Sequence, residues 1–260
     1  MGLFVREFGA NQPSSIVFLH GGGLSGWMWE RQVKALSDFH CLVPDLPEQG
    51  KSKEFKPFSI KNSAQQISEL IKNKAHGGKA HVVGHSLGAQ IVVQLLSMSP
   101  EVVDRAIVNS ALLRRIPILN GLIRPTVRLT LPLTKVKWFA KIQAKYLSVP
   151  AADFSKYYYD SKSLTDELLE KLLRENMNFS IPEGLEYCTV PTLILAGQKE
   201  RGIMRNSAKD LVSVMPNSQG YLVQGVGHSF NFAAPQLFNK ILRTWLSKQE
   251  LPPTERLRAI

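Results

Sequence analysis

Ser86 lies in the run Ala80-His81-Val82-Val83-Gly84-His85-Ser86-Leu87-Gly88-Ala89, with a glycine two residues to either side. A serine hydroxyl is a poor nucleophile near neutral pH and attacks a carbonyl only when a base takes its proton. The Gly84-x-Ser86-x-Gly88 spacing fits a strand-to-helix turn that strains the serine backbone and pushes the hydroxyl outward. A side chain at either glycine would collide where strand and helix fold back across the serine. The same turn sets the hydroxyl beside free N–H groups at a helix start, where a developing oxyanion is stabilised. The pattern alone recurs by chance, so its weight comes from the elements around it.

Those elements fit. Ala80 to Val83 reads as a short buried strand and Ala89 to Met98 as a mostly apolar helix. Upstream, Leu3 to Phe8 and Ser15 to Leu19 read as strands joined by a turn, and the second runs directly into His20-Gly21-Gly22-Gly23. A helix over about Glu30 to Ser37 and a strand from His40 to Val43 follow. An amphipathic helix from Ser59 to Lys74 carries Ile60, Ala64, Ile67, Leu70 and Ile71 on one face. Val102 to Val108 is another apolar strand. After Ser110 the rhythm stops, and Ala111 to about Cys188 shows no clear strand. Its helical patterns are broken at Pro117, Pro125, Pro132 and Pro150. A well-formed helix follows from Thr165 to Met177, capped by Ser163 or Thr165, with Glu167/Lys171 and Glu170/Arg174 at favourable spacing. Alternation resumes with Thr192 to Ala196, a helix from Ser207 to Val214, a strand from Gly220 to Val223 and a last helix from Ala233 to Ser247. The tail Glu250 to Ile260 is expected to be loosely held. Alternating strands and helices imply a mostly parallel sheet covered on both faces. The interruption implies a core of about residues 1–110 and 189–260, with a helical cap of about 111–188 inserted over the carboxyl edge of the sheet.

Composition bounds the function classes. A chain of 260 residues with 44% hydrophobic and 20% charged residues reads as a soluble globular protein with one large core. No uncharged apolar run is long enough for a transmembrane helix. Met1 to Glu7 lacks the layout of a signal peptide, and the residues after Gly2 disfavour myristoylation. Cys41 and Cys188 sit far apart and form no metal or redox spacing, so a cytoplasmic location is expected. Gly21-Gly22-Gly23 lacks the lysine of a phosphate-binding loop, and no metal-ligand cluster or nucleic-acid motif occurs. No cofactor, no metal and no nucleic-acid partner are expected.

His20-Gly21-Gly22-Gly23 after a strand, Gly84-His85-Ser86-Leu87-Gly88 at the turn and the late Gly225-Val226-Gly227-His228 together resemble the α/β-hydrolase superfamily, above all its small capped serine esterases and lipases. The resemblance spans about Leu3 to Leu246 and implies an α/β-hydrolase fold. It implies Ser86 as nucleophile and His228, after the last core strand, as the base. It places the orienting acid in Gly197-Gln198-Lys199-Glu200, where Glu200 stands in place of the usual aspartate. Glu200 is otherwise a solvated loop carboxylate beside Lys199 or Arg201. A second acid position used by some relatives holds Asn109 and Ser110 and offers no substitute. Oxyanion donors implied are the N–H groups of Leu87 and of Gly22, with His20, Gly21, Gly23, Gly84 and Gly88 as motif support. His20 and His85 read as structural, His81 lies within a strand, and His40 and His76 mark element ends. One departure concerns Asp45-Leu46-Pro47-Glu48-Gln49-Gly50-Lys51-Ser52, where many relatives carry Asp-x-x-Gly-His-Gly-x-Ser; this alters how the oxyanion loop is supported. The expected substrate is a carboxylic ester with a hydrophobic acyl or alkyl group. Thioester hydrolysis, carbon–carbon bond hydrolysis and cofactor-free perhydrolysis share these residues, and a non-catalytic ligand-binding member is the alternative from another class.

The formal charge of +11 is unevenly spread: residues 111–150 hold eight basic residues and no acidic one. Lys137, Lys141 and Lys145 repeat every four residues, with Trp138, Phe139, Ile142 and Tyr146 on the other side of an amphipathic cationic helix. This is either the solvated outer face of a cap helix or a docking site for something anionic: a phospholipid surface, an acidic carrier protein or a substrate phosphate.

Overall fold

Every residue of the second strand is buried, because alternate side chains enter two different helical layers. In chain order the elements are β1 (Val5–Phe8), β2 (Ser15–Leu19), α1 (Glu30–Ala35), β3 (His40–Pro44), α2 (Ile60–Lys74), β4 (Ala80–His85), α3 (Leu87–Met98) and β5 (Val103–Asn109). Four helices follow: α4 (Asn120–Thr134), α5 (Lys137–Tyr146), α6 (Phe154–Ser163) and α7 (Asp166–Asn178). The chain ends with β6 (Thr192–Gly197), α8 (Gly202–Val214), β7 (Ser218–Val223), α9 (Phe230–Ala233), α10 (Pro235–Leu246) and β8 (Leu257–Ala259). This computed structural model describes residues 2–249, 251 and 255–260; Met1, Glu250 and residues 252–254 of the tail lie outside the described residues. No helix among the described residues is long and apolar enough to cross a membrane.

The strands form one sheet in the order β1-β3-β2-β4-β5-β6-β7-β8. From β3 to β7 each neighbouring pair is parallel, while β1 and β8 run antiparallel at the two edges. Val17 and Leu19 face a layer containing Ile67, Ile71, Ile91 and Leu211 from α2, α3 and α8. Ile16 and Phe18 face the opposite layer, with Trp29, Val33, Phe238 and Leu242. The sheet is therefore α/β with both faces covered, and the parallel strands send their carboxyl-end loops to a single edge.

Several elements differ from expectation. The tail is not loose throughout: β8 pairs with β7, Val223 opposite Leu257, because the outer edge of β7 offers open backbone partners. The last helix starts at Pro235 rather than Ala233, since a proline fits the first position of a helix, and a separate short helix, α9, precedes it. Pro125 and Pro132 do not break α4; each forfeits one N–H bond while its fixed φ fits the helix. Thr165 caps α7 by accepting from the Leu168 N–H at 3.2 Å, and Glu170 pairs with Arg174 at 2.9 Å. Lys171, however, turns away from Glu167 and reaches Glu48 at 2.6 Å, tying α7 to the loop after β3. On α5 the lysines are exposed, but so are Trp138, Ile142 and Tyr146, at 62%, 58% and 83%. The buried positions are Ala140 and Ala144, with Phe139 half-buried.

Helix α6 is fastened to the loop after β2 by a buried carboxylate. Asp160 accepts hydrogen bonds from Trp27 Nε1 at 2.6 Å and Ser25 Oγ at 2.9 Å. Burial raises its carboxyl to about 6, although both hydrogen bonds pull it down. A carboxyl whose folded value exceeds its unfolded one contributes most below the unfolded value, and that contribution is lost as pH rises through 6. Asp160→Asn is therefore expected to gain stability relative to wild type between about pH 4 and pH 7, by up to about 3 kcal/mol. Denaturant titrations of both proteins across this range measure the gain. A difference that stays constant with pH would mean that Asp160 titrates as an ordinary aspartate.

Candidate active site

β4 ends at His85 and α3 begins at Leu87, so Ser86 alone makes the turn. Its φ of +54° and ψ of −114° lie where non-glycine residues are strained, at a cost of order 1–3 kcal/mol. A Cβ on Gly84 would strike the carbonyl of Gly88, and one on Gly88 would strike the carbonyl of Leu19. Both glycines thus let the start of α3 press onto β4 and β2. The turn is held by the Ser86 N–H donating to the Asn109 carbonyl at 2.9 Å and by the Ser86 carbonyl accepting from Ala89 and Gln90 at 3.0 and 3.1 Å.

His228, on the loop between β7 and α9, comes to this turn from the far end of the sequence. Its Nε2 lies 3.0 Å from Ser86 Oγ, and its Nδ1 lies 2.9 Å from Glu200 Oε2. A carboxylate only accepts, so Nδ1 carries the proton and Nε2 presents its lone pair to the serine. Glu200 is buried, and its Oε1 accepts from the Gly197 N–H and the Ser110 hydroxyl, both at 2.7 Å. Burial raises this carboxyl, but the bond and charge of His228, with Gly197 and Ser110, outweigh it and hold Glu200 below the ordinary value. Glu200 is therefore not a solvated loop carboxylate. The acid and base loops are also laced together: Gln198 and Lys199 N–H groups donate to the Val223 and Val226 carbonyls, each at 2.9 Å.

Gly22 lies against the start of α3, where a Cβ on it would come 3.3 Å from a Leu87 methyl. Neither the Gly22 nor the Leu87 N–H has a hydrogen-bond partner among the described residues. They are two free donors, on segments that meet at Ser86. The other motif residues hold this loop in place. His20 accepts from the Leu46 N–H at Nε2, 2.9 Å, and donates from Nδ1 to the Gly21 carbonyl, 2.9 Å; burial keeps it neutral. Gly23 turns the loop at φ +72°, and its N–H donates to Gln49 Oε1 at 2.8 Å. Asp45 accepts from Arg6, Gly26 and Lys51, each at 2.8 Å, so the departing 45–52 segment braces the loop through Gln49 rather than through a glycine-rich turn. His85 packs against His228 with ring centroids 4.9 Å apart, and burial first, then His228, hold it well below the usual histidine value. His81 is pushed down to about 4 by burial, His40 lies at the start of β3 bonded to Ser15 and Glu7, and His76 follows α2.

Two of these contacts escape a reading of the sequence. Ser110 follows β5 at φ +61° and holds Glu200, and Gln49 holds Gly23. The only signal was their positions, Ser110 where some relatives carry an acid and Gln49 inside an atypical loop. No group of three or more potential metal ligands occurs among the described residues.

The serine opens into a cavity of about 370 Å³ between the sheet edge and helices α4 to α7. Leu164, Leu169 and Leu173 make an apolar wall, while Gln143, Tyr157 and Ser161 contribute polar groups.

A model of the alpha/beta hydrolase family matches residues 16–241. A protein of Gibberella zeae described as an AB hydrolase superfamily protein is 27% identical over 247 residues, 92% of this chain and 82% of that protein. RutD of Serratia proteamaculans, named for carbamate hydrolysis, is 26% identical over 269 residues, 95% of this chain and 97% of that protein. The solved structure of an esterase, EaEST from Exiguobacterium antarcticum, superposes with a TM-score of 0.80 at 17% identity, covering 94% of this chain and 95% of that one. At that identity the likeness is one of fold.

The expected outcome with a fluorophosphonate probe is labelling of wild type and none of Ser86→Ala. Glu200→Gln should slow labelling on the scale of ~10⁴-fold, since the imidazole loses its charged partner and its tautomer. Glu200→Asp should be much milder, and Ser110→Ala should cost roughly tenfold by removing one hydrogen bond to a charged group. Mass spectrometry of the adduct against time measures all four rates; labelling of Glu200→Gln at the wild-type rate would remove Glu200 from the set.

Proposed function

The chain belongs to the alpha/beta hydrolase family, and from that premise we propose that it is a serine hydrolase cleaving a carboxylic ester with an apolar acyl or alkyl group. The observation that carries this reading is the continuous chain Ser86 Oγ to His228 Nε2 at 3.0 Å and His228 Nδ1 to Glu200 at 2.9 Å, at a strained turn facing a cavity.

In this reading Ser86 Oγ attacks the ester carbonyl as its proton passes to His228 Nε2. The carbonyl oxygen takes up negative charge against the Gly22 and Leu87 N–H groups. A single such donor is worth about 2.7–4 kcal/mol of barrier. The imidazolium that forms is stabilised by Glu200, kept ionised by Gly197 and Ser110. His228 then returns the proton to the leaving alkoxide, and the alcohol departs. Water, deprotonated at the same Nε2, releases the carboxylic acid and restores the Ser86 hydroxyl. Leu164, Leu169 and Leu173 favour an apolar acyl or alkyl group in the cavity.

The polar wall favours a second reading. Gln143 and Ser161 could hold the nitrogen side of a carbamate, the class for which the Serratia proteamaculans relative is named. The same serine chemistry would serve.

Turnover of nitrophenyl esters from acetate to laurate, beside a phenyl carbamate series, separates these readings. Because 370 Å³ is at the small end of ligand cavities, short and medium acyl chains are expected to outrun long ones. Leu173→Trp should move the optimum to shorter chains with little effect on acetate. Ser86→Ala should abolish turnover while circular dichroism stays unchanged. Undiminished turnover in that variant, freed of contaminating esterases, would assign the chemistry to another group. A protein that bound esters without hydrolysing them and stayed unlabelled by fluorophosphonate would be a ligand-binding member of the family.

A further inference from the structure

We propose that the outer face of α4 and α5 docks onto an anionic phospholipid surface, with apolar side chains entering the headgroup layer and lysines meeting lipid phosphates. Twelve large apolar side chains are exposed among the described residues, and eight of them lie between Ile118 and Tyr146. Scattered exposed apolar residues need no explanation, but this concentration does.

The helical geometry groups them. On α4, Leu122, Leu129 and Leu133 stand seven and four residues apart and form one exposed stripe, while Ile123, Val127 and Leu131 pack inward against Leu169 and Leu173. On α5, Trp138, Ile142 and Tyr146 follow at intervals of four, exposed by 62%, 58% and 83%. Lys137, Lys141 and Lys145 form a second exposed stripe one position earlier along the same helix. Only Ala140 and Ala144 are buried on it. An ordinary surface helix keeps its large apolar residues inside and its charges outside. Here both stripes face outward and the inward one is alanine. That is the pattern of a helix lying in a membrane interface, where Trp and aliphatic side chains enter the boundary and lysines reach the headgroups.

The charge selects the partner. Residues 111–150 carry eight basic and no acidic residues. Arg114 and Arg124 pair with Asp210 and Glu170, but Arg128, Lys135, Lys137, Lys141 and Lys145 have no carboxylate partner among the described residues. A second copy of the chain would bring the same lysines against themselves, so the face repels its own kind. An anionic bilayer meets both stripes together, and an extended planar surface suits two helices better than a pocket does. The inward faces of the same helices contribute Thr130, Thr134 and Gln143 to the cavity, so docking would set the cavity roof against the lipid.

The test is co-sedimentation with phosphatidylglycerol vesicles and with pure phosphatidylcholine vesicles, at about 0.05 M and about 0.5 M salt. Wild type is expected to pellet with the anionic vesicles at low salt, weaken at high salt, and stay in solution with the neutral ones. Lys137→Gln/Lys141→Gln/Lys145→Gln should lose on the order of a hundredfold in affinity, at about 1 kcal/mol per lysine. Trp138→Ser/Ile142→Ser should weaken the binding that remains at high salt. Both variants should hydrolyse a water-soluble ester, or label with fluorophosphonate, at the wild-type rate, which also certifies their fold. Absence of salt-sensitive pelleting by wild type would overturn the proposal, as would undiminished pelleting of the lysine variant. Capture by an acidic carrier protein without vesicle binding would overturn it too. So would a dimer in sedimentation velocity that Trp138→Ser/Ile142→Ser dissolves, which would assign the face to a second copy.

Discussion

The contact on which the rest of the site depends is between backbones: the first turn of α3 pressed against Leu19 of β2 and folded over Gly84 of β4. No side chain fits at residue 84 or 88, so the approach is closer than any pair of L-residues allows. That closeness forces Ser86 to φ +54°, and the strain is repaid by the buried helix it launches, Ile91, Val92 and Leu95 all lying within the core. It also brings the Leu87 N–H within reach of the Gly22 loop, since the loop begins where β2 ends. One packing constraint therefore sets the nucleophile's orientation and both free amides. The parallel order of the strands does the remainder, because loops after β2, β4, β5, β6 and β7 emerge at the same edge.

Electrostatics within the site follow from burial. Three imidazoles lie near Ser86, and the protein distinguishes them by surroundings rather than by type. His20 and His85 are sealed in and held neutral by desolvation. His228 is partly open and is the one that faces a carboxylate. Glu200, although buried, keeps its charge because two donors besides His228 are aimed at it. The longer side chain is accommodated by a tight turn: the Glu200 N–H returns to the Gly197 carbonyl at 3.1 Å, and the carboxylate folds back onto the Gly197 N–H.

What the sequence disclosed and what it hid divide along the range of the interactions. The turn at Ser86 was legible from the spacing of its neighbours, and the histidine after β7 and the glutamate after β6 from the resemblance to the α/β-hydrolases. Ser110, Gln49 and Asp160 were not, because their roles exist only through partners 90, 26 and 135 residues away. β8 was missed for a related reason: three residues become a strand only because β7 has an open edge beside them. Helix α5 was found, but its two stripes do not stand on opposite sides: the lysines and Trp138, Ile142 and Tyr146 are all exposed, Phe139 is half-buried, and the buried positions are Ala140 and Ala144. Periodicity identifies stripes, and which of them faces inward depends on the neighbouring helices.

That arrangement bears on how the segment between β5 and β6 holds together. A helix that buries Ala140 and Ala144 gains little from the hydrophobic effect, since alanine offers a fraction of the apolar area of leucine. α4 forfeits two backbone hydrogen bonds at Pro125 and Pro132. Its buried apolar side chains form a small cluster, Ile123, Val127 and Leu131 against Leu164, Leu169, Leu173 and Met177. The segment is held to the core mainly through α6 and α7: Leu168 and Leu172 join one apolar layer and Tyr157 the other, beside polar ties of Asp160 to Ser25 and Trp27, Lys171 to Glu48, and Arg114 to Asp210. The roof over the cavity, with Thr130, Thr134 and Gln143 on its inner side, is therefore held by the same two apolar layers that flank the sheet and by directional ties that fix its register on them.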